Sequence, residues 1–176
     1  MINILKILLI PVCLFGCFKD TRSPATQAFE NTLYQSAKAL EKKYNVSAMG
    51  SGGSAPMGVI SNFTLSFEKK GILTKEECRK LLIAMGGDFL QLINTNKEVR
   101  PYLYKYPFEA IDININLFIR DEKGNYVEHP NINVADLFLG NLSYETQHYD
   151  RVKDSLKTIT EERESVEDAL KMLKTL

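Results

Sequence analysis

Every second residue from 111 to 119 is an isoleucine or a leucine, and this alternation restricts the possible folds more than any other pattern in the chain. Side chains two residues apart on a β-strand share one face, so the alternation predicts a strand with one buried side. Its apolar members are Ile111, Ile113, Ile115, Leu117 and Ile119. A similar alternation over residues 59–67 predicts a second strand, and residues 45–49 and 125–134 are further strand candidates. A half-buried sheet of this kind needs another layer to cover its apolar face.

Three segments with helical spacing of apolar residues can supply that layer. The first spans about 24–43 and starts at Ser23-Pro24, and the third spans about 151–175. The second begins at a capping box formed by Thr74 and Glu77, and Gly86-Gly87 lies in its middle. Residues 135–150 fit neither pattern. We predict one α+β domain over residues 23–176, with helices packed on one face of a small antiparallel sheet of about four strands.

A glycine-rich segment separates the strand candidates 45–49 and 59–67 and is expected to be a mobile hairpin loop that could bind a partner. Its residues are Gly50, Ser51, Gly52, Gly53 and Ser54. A phosphate-binding loop would need a lysine after the last glycine and a helix after that, and the sequence has neither.

The segment from Arg100 to Phe108 contains two prolines and three tyrosines two residues apart, and it is expected to be extended. Arg100, Tyr102, Tyr104 and Tyr106 form a candidate interaction surface, because arginine and tyrosine are enriched in interfaces. The alternative is that the rings lie on the core.

The remaining charged residues indicate no catalytic, metal or cofactor site. The chain has 22 basic and 22 acidic residues, which gives no electrostatic preference for nucleic acid. Asp112-Ile-Asn114-Ile-Asn116 begins like a calcium loop, but that loop needs a glycine and a glutamate where Leu117 and Lys123 stand. These polar residues are expected on the solvated face of the strand. His129 and His148 belong to no metal-binding motif.

The N-terminus contains an apolar run, Ile7 to Cys17, that follows Lys6 and is too short to span a bilayer. Its length fits a secretory signal peptide. Leu14-Phe15-Gly16-Cys17 resembles the lipobox of bacterial lipoproteins. The resemblance implies that residues 1–16 are removed by cleavage after Gly16, and that Cys17 carries a diacylglycerol thioether. Residues 17–22 would then form a short lipidated tether.

This resemblance also implies a location. Two or three acyl chains anchor a protein stably, whereas one holds only marginally. Residue 18 is Phe rather than the Asp that retains enteric lipoproteins in the inner membrane, so we expect the outer membrane, facing the periplasm. The segment between the two prolines resembles stretches of uncharacterised lipoproteins from host-associated bacteria, which implies no function. Cys78 would be the only free thiol of the mature chain, and its place on a helical apolar face predicts burial.

Three hypotheses about function remain open. The first is a non-enzymatic lipoprotein that binds a protein or envelope component through a loop or a sheet edge. The second is a carrier of a small apolar or lipid ligand between helices and sheet. The third is a hydrolase that uses Ser51 or Ser54 with a distant histidine.

Overall fold

The computed structural model describes residues 21–174, which form three α-helices and six β-strands. In chain order they are α1 Pro24–Tyr44, β1 Ser47–Ser54, β2 Asn62–Lys70, α2 Lys75–Thr95, β3 Ile113–Arg120, β4 Val134–Phe138, β5 Asn141–Asp150, β6 Ser155–Ser165 and α3 Val166–Lys174. Short 3-10 turns lie at Pro56–Gly58, Arg100–Tyr102 and Ala110–Asp112. None of the helices between residues 21 and 174 is both long and apolar enough to cross a membrane.

The six strands form one sheet in the order β1-β2-β3-β4-β5-β6. All neighbours are antiparallel except β2 and β3, which are parallel because α2 carries the chain back to the end where β2 began. The α+β class and the single domain are confirmed. The prediction of about four antiparallel strands is wrong, since the sheet is six-stranded and mixed.

The core lies between the three helices and one face of the sheet. The inward side chains of β2 and β3 are fully buried, among them Phe63, Phe67 and Ile115. At Gly86, α2 lies close against the sheet: a Cβ atom built there would lie 2.8 Å from Cδ2 of Leu137. The pair of glycines in this helix therefore reflects close packing at its first member.

Both long helices begin where the local sequence signals place their starts. Ser23 accepts a hydrogen bond from the backbone N–H of Thr26. The Thr74 hydroxyl accepts one from the Glu77 N–H, and the Glu77 carboxylate accepts one from the Thr74 N–H, which completes the predicted capping box. These contacts satisfy N–H groups that the first turn leaves without a helical partner.

The C-terminal region differs from the prediction of one helix over 151–175. Residues 155–165 are strand β6, and only Val166–Lys174 is helical. Val152, Leu156 and Ile159, which suggested a helical stripe, are exposed. β6 pairs with β5 along ten positions, and an edge strand needs no buried apolar stripe because backbone hydrogen bonds hold it in place.

Two other predicted segments are also corrected. Residues 125–134 were expected to form a returning strand, but only Tyr126 makes an isolated bridge, to Arg120, before β4 begins at Val134. The residues predicted as a mobile loop, Gly50–Ser54, are the second half of strand β1 and pair with β2. The connection between these strands is formed by residues 55–61 instead.

Candidate binding surfaces on the open face and edge of the sheet

The face of the sheet opposite the helices carries mainly polar side chains. On β2 and β3 they pair across the strands: the Asn114 amide donates to the Thr64 hydroxyl at 3.0 Å, and the Asn116 amide donates to the Ser66 hydroxyl at 2.9 Å. The expected solvated face is only partly correct, because Asn114 is 5% exposed. Its Oδ1 atom is buried and has no hydrogen-bond partner among the described residues. We call the whole polar face of the sheet, opposite the helices, the open face.

A cleft of about 580 Å³ crosses the open face from β3 to β6. The pairing register aligns four of its residues in one row across these strands, which are Asn116, Asp136, Ser143 and Arg163. Phe138 and Leu139 flank this row on one side, and Glu145 and Glu161 flank it on the other. The cleft therefore combines an apolar side with a side that carries two carboxylates.

Asp136 is the most perturbed acid of the cleft. The pKa of its carboxyl is raised from 3.8 to about 6, mainly by burial and in smaller part by the nearby carboxylates of Glu145 and Glu161. The Ser143 hydroxyl donates a hydrogen bond to it at 3.3 Å, which opposes this rise in the pKa. Arg163, the nearest cation along the row, pairs instead with Glu161 at 2.5 Å. A desolvated carboxylate without a cationic partner between residues 21 and 174 is a typical feature of a ligand site.

The β1 edge is a second candidate surface. Its eight residues carry no charge and no proline, whereas β6, at the other edge, carries Lys157, Glu161, Glu162, Arg163 and Glu164. Proteins commonly protect free edges with charges, so β6 is protected by its own side chains. On β1 the Ala48 N–H donates to the Glu41 carboxylate of α1 at 2.7 Å, and the strand itself carries no protecting charge. A groove of about 340 Å³ runs between this edge and α1 and is lined in part by Leu33, Tyr34 and Met49.

The tyrosine segment is not uniformly extended, and its rings do not share one environment. Tyr102 lies in a 3-10 turn and packs against the core. Tyr104 donates to the buried carboxylate of Asp112 at 2.5 Å. The Arg100 guanidinium lies 4.3 Å from the centre of the Tyr106 ring. Arg100, Tyr104 and Tyr106 are exposed and stay available for contacts, while Tyr102 is half-buried.

The geometry does not bring together the groups that a serine hydrolase needs. Ser51 and Ser54 lie on β1, whereas His148 lies on β5, four strands away. That separation is about 19 Å at the usual strand spacing. His148 is paired with Glu128 at 2.7 Å, and His129 is hydrogen-bonded to Thr146.

Two further expectations concern the interior. A lipid carrier would need space between the helices and the sheet, but the side chains there pack against one another in one continuous cluster and many are fully buried.

Cys78 belongs to this cluster, as predicted, and burial raises the pKa of its thiol to about 12. A thiol that stays protonated is a poor nucleophile, so Cys78 is a packing residue.

Sequence reasoning missed Asp136. Val134, Ala135, Leu137 and Phe138 around it are all apolar, so the segment shows no alternation that would place Asp136 on one face of a strand. Only five residues form this strand, which is too short a run to separate from the ambiguous segment 135–150 around it.

The residues implied by the lipobox, Gly16 and Cys17, lie outside the described part of the chain. Comparisons with protein family models, curated proteins and solved structures found no match.

Proposed function

We propose that this chain is a lipid-anchored protein of the bacterial envelope that acts as a non-enzymatic binding module. The anchor is the lipid on Cys17, in the outer membrane and facing the periplasm, and the ligand site is the cleft on the open face. The ligand class is a small molecule or segment with a positive charge and a short apolar part. The observation that carries the ligand class is the half-buried Asp136 carboxylate, which has no cationic partner in residues 21–174.

The chemistry of the cleft supports this ligand class. Holding an ionised carboxylate away from water is costly unless a cation pairs with it. A bound ammonium or guanidinium would supply that pair, and Glu145 and Glu161 would add to the attraction. Phe138 and Leu139 offer apolar contact beside the charge, and an aromatic face also attracts cations.

Ligand-induced thermal stabilisation tests the cleft. The full chain, purified in detergent, would be heated at pH 7.5 with spermidine or ethanolamine and with their neutral N-acetylated counterparts. We expect the cations alone to raise the melting temperature, because a ligand that binds only the folded state stabilises it. The effect should disappear in Asp136→Asn and persist in Glu98→Gln, which removes an exposed carboxylate outside the cleft. Equal shifts in both variants would refute the cleft as the site.

The anchor has its own test. Cells grown with an alkyne fatty acid should label the wild-type chain and leave Cys17→Ala unlabelled. Absence of label on the wild-type chain would remove the lipoprotein assignment and leave the cleft proposal standing.

A second candidate function, recognition of an extended protein segment by strand addition, is supported by the uncharged edge of β1. Strand addition uses the free backbone groups of an edge strand and takes side chains into neighbouring grooves, such as the one between β1 and α1. A photo-crosslinking residue at Ser51 should give a discrete adduct in intact envelopes. The same residue at Thr158, on the charged edge, should give none, and adducts of equal yield would contradict the idea.

A further inference from the structure

The domain has one end at which α1 and several strands meet. The pairing register places the start of β2 beside the start of β3 and the end of β1, and the same end holds the turn between β4 and β5. The start of α1 is fixed there too: the Phe29 ring stacks on Phe63 at 4.9 Å, and a Cβ atom on Gly58 would lie 3.7 Å from that of Ala25. We call this the α1 end.

The α1 end exposes a group of large apolar and aromatic side chains. They come from four separate segments and are each between 47% and 101% exposed, namely Met57, Val59, Tyr104, Tyr106, Ile111, Phe138 and Leu139. Soluble surfaces carry single exposed apolar residues as a rule, and a concentration of them at one place indicates an interaction.

The charge distribution separates the two ends of the sheet. The two direct strand-to-strand connections at the α1 end, residues 55–61 and 139–140, contain no charged residue, whereas the longer connection from α2 to β3 carries Arg100, Lys105 and Glu109. The connections at the opposite end contain Asp121, Glu122 and Lys123 in one turn and Arg151, Lys153 and Asp154 in the other. Uncharged, apolar strand turns at one end and charged turns at the other are the arrangement expected of a domain that rests on an apolar phase with one end and faces water with the other.

The tyrosine segment at the α1 end adds residues suited to the boundary between lipid and water. Tyrosine is enriched at that boundary because its ring is apolar and its hydroxyl is polar. Arg100, stacked on Tyr106, and Lys105, 5.6 Å from the centre of the Tyr104 ring, place cations beside the rings. Long basic side chains bury their methylene stems and keep their charge at the interface.

The course of the chain identifies the surface that covers this end. Residues before 21 continue from the start of α1, so the tether leaves the domain at the α1 end. Cys17 precedes Ser23 by six residues, which span at most about 22 Å when fully extended. We propose that the α1 end rests on the lipid bilayer, with Met57, Val59 and the exposed tyrosines in the headgroup region. This inference depends on the lipid anchor at Cys17 proposed above.

The chain contains no tryptophan, so one introduced tryptophan reports the surroundings of its own position. Met57→Trp and Val59→Trp place the probe at the α1 end, and Ile72→Trp places it at an exposed position just after β2, at the opposite end. Each lipidated variant would be reconstituted into vesicles of phosphatidylethanolamine and phosphatidylglycerol, with and without brominated acyl chains.

We expect brominated lipid to quench the fluorescence of Met57→Trp and Val59→Trp by at least half and to leave that of Ile72→Trp nearly unchanged, with a blue-shifted emission only for the first two. Vesicle flotation is measured on the same samples. A protein that floats with the vesicles but shows equal quenching at both ends is anchored and does not rest on its α1 end, which would overturn the inference alone. A protein that does not float would overturn the anchor and this inference together.

Discussion

The clearest quantitative consequence of the structure concerns Asp136→Asn. Burial raises the pKa of this carboxyl to about 6 from its ordinary 3.8. A raised carboxyl pKa means that the folded state holds a proton that the unfolded state has already lost, so stability falls as pH rises from about 4 to about 6. Each pH unit between the two values is worth about 1.4 kcal/mol, so the ionised group costs the fold about 3 kcal/mol at pH 7.5.

Asparagine has almost the same shape, carries no charge and can still accept a hydrogen bond from Ser143. The substitution should therefore stabilise the protein at pH 7.5 by up to about 3 kcal/mol, equivalent to a rise of about 6–12 °C in the melting temperature of a domain this size. Below pH 4 wild-type Asp136 is protonated too, and the difference should nearly vanish.

Urea unfolding of the wild type and the variant at pH 7.5, 5.5 and 4 measures this directly. Glu98→Gln serves as the control, since its carboxylate is exposed and the change should have little effect at any of these pH values. A variant that is destabilised at pH 7.5, or a difference that does not depend on pH, would refute the assigned environment of Asp136. A stabilised variant that no longer responds to cations would show that the wild-type fold sacrifices stability to keep this carboxylate, as functional sites often do.

Four further substitutions test the packing, each by chemical denaturation. Gly86→Ala should destabilise the protein by about 1–3 kcal/mol, because the added methyl group overpacks α2 against the sheet. Gly87→Ala should stabilise it by about 0.5–1 kcal/mol, because a methyl group there meets nothing within 4 Å. Changes of the same sign in both variants would contradict this packing. Arg79→Met should cost about 3 kcal/mol, because it leaves Glu164 nearly buried without its 2.8 Å partner, and a neutral result would mean that the pair is solvated. Ile159→Thr should change the free energy of unfolding by less than about 0.5 kcal/mol, because Ile159 is exposed on β6. A loss above about 2 kcal/mol would instead favour the buried helix that the spacing suggested.

The elements predicted correctly are those whose signals are local or strictly periodic. Caps at Ser23 and Thr74 fix two helix starts through contacts within four residues, and β3 follows from its own alternation. The prediction is wrong only at its first member, because Ile111 lies in the turn before β3 and is exposed. The parallel pairing of β2 with β3 also follows from a helix that crosses between them, yet the sequence alone did not reveal it, because strand direction depends on which strands become neighbours.

The C-terminal region was missed for a different reason. Leu156 and Ile159 have helical spacing by coincidence, and their segment is held by pairing with β5 rather than by a buried face. Edge strands need little apolar sequence, so periodicity is a weak guide to them. The same applies to Gly50–Ser54, where glycine and serine suggested a loop and the hydrogen bonds of β2 imposed a strand.

The cleft could not be predicted from the sequence because its chemistry depends on contacts between strands. Nothing in the sequence around Asp136 distinguishes it from the other acidic residues of the chain. Its pKa is raised by burial and by two carboxylates, Glu145 and Glu161, that lie on β5 and β6. No spacing along the chain encodes that arrangement. The orphan Oδ1 atom of Asn114 is likewise a property of the assembled sheet.

The unequal edges of the sheet would decide how anchored copies assemble. Copies held in one membrane leaflet meet side by side at a far higher effective concentration than free ones. Pairing of β1 with the β6 of a neighbour would extend from copy to copy into an open filament, whereas pairing of β1 with another β1 closes after two copies. The five charged residues of β6 oppose the filament, so for a chain anchored as proposed, association through these edges would stop at the closed pair.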